Sequence, residues 1–176
     1  TLIFELTEKM DLEICYVTSV KDDPMLTYTN LKIRSFYIGD GTVRTKFFLT
    51  LKARILIMDM PDLEKFHIKR SKVYPVHYIY IFHSMFSVHS YLREGAVDHY
   101  DTIFCVGEHH KNEIREIEKI YGLKPKKLIE YGFGRLDTLL DQKEKLQKTN
   151  KKSNELIIIS PSYGKNNLLE ICGLDL

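Results

Sequence analysis

The sequence predicts an α/β protein, a Rossmann-like parallel sheet with helices on both faces. Two observations predict it. Short apolar runs alternate with segments of helical period along most of the 176 residues, the pattern of strands joined by crossover helices. The runs at 54–58, 76–82, 102–106 and 156–159 are apolar without a two-residue alternation, as strands must be when a sheet is covered on both sides.

Each element has its own signal. Leu2, Ile3, Leu6 and Met10 carry the spacing of the last turns of a helix. ICYVTS (14–19) reads as a strand, and KDDP (21–24) as a loop, because aspartate and proline break both periods. KIRSFYIG (32–39) is a second strand that stops at glycine, and 40–52 is a helix with Asp40 near its start. RILIMD (54–59), VHYIYIF (76–82), TIFCVG (102–107) and KLIEYG (127–132) continue the strands. Residues 108–122 form the clearest helix, with Ile114, Ile117, Ile120 and Tyr121 on one face and Gly122 ending it. A further helix over 135–147 turns Leu136, Leu139, Leu140 and Leu146 inward. The composition then becomes polar and lysine-rich. That shift divides the chain into a first domain over 1–147, a solvated linker over 148–155, and the start of a second domain over 156–176. The first domain reads as lacking its first strand, and the whole chain as a piece of a longer protein.

The bulk properties exclude several classes. A net charge of +2 gives no footprint for nucleic acid. No apolar run approaches the ~20 residues of a membrane span. Cys15, Cys105 and Cys172 are far apart and form no C-x-x-C pair, which fits reduced, buried thiols rather than a disulfide frame or zinc knuckle. No H-E-x-x-H, G-x-S-x-G or Walker A segment occurs, so neither a metal nor a bound cofactor is expected.

Chemistry is expected just past the strands, since open parallel sheets bind ligands outside their carboxyl ends. Those positions hold Thr18, Ser19, Gly39, Asp59, His83, Ser84, Gly107 and Gly132. A glycine such as Gly107 lets a backbone approach a ligand, or simply makes a tight turn. His83 is the sharpest candidate. Its imidazole can accept a proton near neutral pH and return it, or it can hydrogen-bond a neighbouring loop. His109 and His110, opening a helix, read as surface residues or as neighbours of a ligand phosphate at its N-terminus. Lys124, Lys126 and Lys127 read as solvated, and Arg93 and Arg135 as either phosphate holders or ion-pair partners.

The succession YVTSVKDDP, MPDL, YIYIFHSMFSVHSYL, HYDTIFCVGEHHKNEIR, KKLIEYGFGRLD and IISPSYGKNNLLE resembles the CDP-glycerol glycerophosphotransferases, the teichoic-acid polymerases and their relatives. The likeness runs over nearly the whole chain in the same order. It implies the N-terminal, acceptor-side half of a GT-B fold plus the opening of the nucleotide-binding domain. It further implies a transferase moving glycerol phosphate from CDP-glycerol to a hydroxyl of a lipid-linked or polysaccharide acceptor, in teichoic acid or surface polysaccharide synthesis. The chain would be inactive alone, and the protein cytoplasmic, in peripheral contact with the inner face of the plasma membrane.

His83 matches the family's W-H-G histidine, held to be the base that activates the acceptor; here the segment is F-H-S, and tryptophan is absent. On the same resemblance Ser84 and Ser87 would orient the acceptor. Ser160, Ser162, Tyr163 and Gly164 would contact the donor, and Arg135, in G-x-x-R-L-D, would brace the domain beside it. Two other readings stay open: a non-catalytic α/β binding module, and a GT-B enzyme using a nucleotide sugar.

Overall fold

A computed structural model describes residues 2–148 of the chain. The donor-side residues Ser160, Ser162, Tyr163 and Gly164, the expected strand at 156–159, Cys172 and all but the first residue of the linker lie outside the described residues. The chain divides into one unit ending at Asp137 and another beginning at Thr138.

Among the described residues six strands form, all in the first unit. β1 (Ile14–Thr18) and β2 (Ile33–Tyr37) pair in parallel as a two-stranded sheet. β3 (Ile55–Met58), β4 (His77–Ile81), β5 (Thr102–Cys105) and β6 (Lys127–Glu130) form a four-stranded parallel sheet in chain order. The helices of this unit are α1 (Leu2–Lys9), α2 (Gly41–Thr50), the single turn α3 (Val88–Tyr91) and α4 (Glu108–Ile120). α5 (Gly134–Lys148) crosses from the first unit into the second. The architecture is α/β and consistent with a Rossmann-like fold. No helix among the described residues is long and apolar enough to cross a membrane.

The register fixes which side chains share a face. Leu56 lies beside Tyr78 and Met58 beside Tyr80, while Tyr80 faces Ile103 on its other side. These residues, with Phe82, Cys105 and Leu128, belong to the main core, which α2 enters through Phe48 and α4 through Ile114. Tyr78, Tyr80, Ile103, Cys105 and Ile114 are at most 1% exposed. Gly122 has a positive φ of 60°, the left-handed conformation that ends a helix without Cβ strain.

Several expectations are corrected. The buried face of α4 is His110, Ile114 and Glu118 with Ile117 half-buried; Ile120 and Tyr121 are exposed. Glu118 can be buried because Lys126, also buried and not solvated, donates its backbone N–H to Glu118 Oε1 at 2.8 Å, and Arg115 pairs with Oε2. Cys15 is exposed, since β1 turns it away from the core. Leu136, Leu139, Leu140 and Leu146 are exposed rather than inward. Helical spacing decides which residues share a face, not what that face meets.

Candidate functional site at the carboxyl edge of the sheet

Parallel pairing puts all four carboxyl ends of the larger sheet on one edge. Asp59 follows β3, His83 and Ser84 follow β4, Gly107 follows β5 and Gly132 follows β6. Asp59 and His83 therefore come from neighbouring strands. His83 Nδ1 lies 3.9 Å from Asp59 Oδ2, and His83 Nε2 is hydrogen-bonded to the Tyr91 hydroxyl. The Tyr91 ring meets the imidazole edge-on, with centroids 5.1 Å apart and planes at 79°. Both nitrogens of one imidazole are thus addressed, one by a carboxylate and one by a phenol. The His83 side chain keeps 46% of its surface and that of Asp59 59%, so the group is open to solvent.

A neutral imidazole carries its proton on one nitrogen only. A carboxylate beside Nδ1 favours the proton there, which leaves Nε2 as acceptor and makes the Tyr91 O–H the donor. Asp59 is well solvated, so its worth to His83 is orientation more than energy, at most about 1 kcal/mol.

The loop that carries His83 is held from behind by the first turns of α4. His110, fully buried rather than at the surface, donates its Nε2–H to the Phe86 carbonyl at 2.7 Å and accepts the Val106 N–H on Nδ1 at 3.4 Å. Its ring packs on Phe82 with centroids 4.1 Å apart. His109 reaches the Met85 carbonyl at 3.3 Å, and Glu113 accepts the Val88 N–H at 2.5 Å. Burial pulls the His110 pKa below 6.5, the Phe86 hydrogen bond opposing and the neighbouring His109 adding to the fall. His110 is thus a neutral brace, its tautomer set by its two partners.

Tyr80 lies under the site with its hydroxyl buried and no hydrogen-bond partner among the described residues, and Ser84 Oγ is in the same position. Burial, then the charges of Tyr91, Asp59 and Asp62, push the Tyr80 pKa well above its usual value. Tyr16 of the smaller sheet feels the charge of Asp59. Tyr16 donates its O–H to Asp23 Oδ2 at 2.8 Å, and its pKa is raised by burial first, by Asp23 next and to a lesser degree by Asp59.

Of the predicted residues, the structure brings His83 and Asp59 together, with Ser84 next in the chain and its Oγ buried. Ser87 sits at the start of α3, where its carbonyl accepts the Ser90 N–H and hydroxyl. Gly107 begins α4, and a Cβ there would meet His109 Nδ1 at 3.3 Å. Arg135 is exposed in the first turn of α5. Arg93 pairs with the buried Asp62 at 3.3 Å, which favours the ion-pair reading. A cavity of about 200 Å³, lined among others by His89, Arg93, Asp98 and Tyr121, lies against α3 and the end of α4 and does not include His83.

Tyr91 is the residue that sequence reasoning missed. It stands eight residues beyond His83, a separation with no periodic meaning, and meets it only because the 82–87 loop folds back into α3. No family model matches the chain, and no curated protein or solved structure matches it either.

Proposed function

We propose that the chain is the acceptor-side domain of a GT-B transferase that moves glycerol phosphate from CDP-glycerol to a hydroxyl of a cell-surface polymer precursor, with His83 as the general base. The carrying observation is the setting of His83: a half-exposed imidazole at the carboxyl edge of a parallel sheet, oriented by Asp59 and Tyr91. Support also comes from the motif succession around FHS, DTIFCVG and GRLD.

In the proposed reaction His83 takes the acceptor proton as the acceptor oxygen attacks phosphorus in line and CMP leaves. Such phosphoryl transfer needs positioning and charge stabilisation more than covalent help. Ser84, whose buried hydroxyl has no partner among the described residues, is the group best suited to receive an acceptor hydroxyl, with Ser87 next along the loop. The donor falls to Ser160, Ser162, Tyr163 and Gly164. Arg135, at the start of α5, and Gly107 are the remaining residues assigned to substrate binding.

The test is His83→Ala in the full-length protein, assayed with labelled CDP-glycerol against a panel of nucleotide sugars. The expected outcome is a fall of about 10²–10⁴-fold in transfer with an unchanged thermal midpoint. Near-normal transfer removes His83 as base; binding without turnover in the wild type favours the module reading, and turnover of a nucleotide sugar alone favours the glycosyltransferase.

A further inference from the structure

We propose that Tyr91 is the residue through which the acceptor hydroxyl reaches His83, the end member of a three-group proton relay Tyr91–His83–Asp59. This rests on the transfer reading above and deepens it. A base must offer its lone pair to the incoming hydroxyl, yet in the tautomer that Asp59 favours the lone pair of His83 Nε2 accepts from the Tyr91 phenol. Nδ1, the other nitrogen, faces Asp59. An acceptor therefore meets the Tyr91 oxygen before it meets the imidazole. Tyr91 itself is 43% exposed.

Tyr91 is held in this place. α3 is closed by the Leu92 N–H on the Val88 carbonyl at 2.9 Å and pinned at its start by Glu113. The ring stands edge-on against the imidazole it serves. Close by, Ser84 Oγ and the Tyr80 hydroxyl are buried without protein partners among the described residues, and the Tyr80 phenol lies within the electrostatic reach of both Tyr91 and Asp59. Buried hydroxyls of this kind are satisfied when a further polar group arrives.

The step balances. The acceptor O–H bond breaks and its proton goes to the Tyr91 oxygen, while the proton already on that oxygen passes to His83 Nε2. The imidazolium so formed faces Asp59. The acceptor oxygen bonds to phosphorus, and the bond from phosphorus to the CMP oxygen breaks, CMP keeping the electron pair. The phenol ends as it began, neutral. The imidazolium later returns its proton to solvent.

Two measurements on the full-length protein decide the matter. In the first, the ring-nitrogen resonances of His83 are compared in the wild type and in Tyr91→Phe, a change that keeps the ring and removes the hydroxyl. The relay requires the proton on Nδ1 in the neutral wild type and a displaced Nε2 resonance in the variant; unmoved resonances overturn it. In the second, transfer is followed in Tyr91→Phe. The relay expects kcat to fall by about 100-fold or more with KM nearly unchanged and the thermal midpoint retained. Unaltered or higher kcat means Tyr91 only shields the imidazole and overturns the relay. Should the wild type not act on CDP-glycerol at all, the assigned substrate fails, and the nitrogen resonances still decide whether the relay exists.

Discussion

Three of the five histidines between positions 83 and 110 do different work because their surroundings differ. His83 is half exposed and addressed on both nitrogens. His109 touches one carbonyl from an exposed position. His110 is sealed, neutral and bonded at both ends. A histidine whose folded pKa is depressed binds its proton less readily than the unfolded chain does. Its contribution is complete above about pH 6.5, and stability declines as pH falls from there toward the folded value. The facing titratable groups are His109 and Glu113, both on α4. Urea denaturation between pH 8 and 5 should therefore show a loss of stability on the acid side. The loss should be smaller in His110→Gln, which keeps a donor for the Phe86 carbonyl but cannot titrate. The sequence signalled His83 by its position after a strand. It misled at His110, because two consecutive histidines at a helix start look solvent-facing until the loop that covers one of them is in place.

Among the elements, α4 does the most. Its first two turns hold the His83 loop, and its last two hold the connection to β6 through Glu118, Arg115 and Lys126. Arg115 donates to the Lys126 carbonyl at 3.0 Å, and Glu118 accepts the Lys126 N–H. Lys126 Nζ lies 3.8 Å from the same carboxylate, with both side chains 5% exposed. Glu118→Ala would leave a buried ammonium without its partner, and a loss of about 3 kcal/mol is expected by chemical denaturation. The variant Glu118→Gln, still able to accept the Lys126 N–H, should lose less. Strands were readable to within one or two residues at each end, because apolar runs bounded by glycine, proline or aspartate leave little choice. α3 was not readable. One turn of VHSY carries no period, and its existence depends on Glu113 at its start.

At the scale of the whole molecule, the parallel α/β class was legible because strand and helix signals alternate. The separation into two sheets was not. β1 and β2 look like the other strands, and the register that pairs them apart from β3 is settled by tertiary contacts rather than by composition. Ile103 is the centre of the larger sheet, 0% exposed and between Tyr80 and Leu128. Ile103→Ala should cost about 2–5 kcal/mol by denaturant unfolding, a large part of the total stability of a domain this size.

The chain-order succession β3-β4-β5-β6 has one more consequence. A sheet laid down in a single direction never parts its crossovers to opposite sides, so it opens no gap between diverging loops of its own. Beyond its own strands, the charge of Asp59 after β3 is felt by Tyr16 of the smaller sheet. Depth for a guest molecule beside Asp59 and the imidazole must therefore be supplied from outside this sheet.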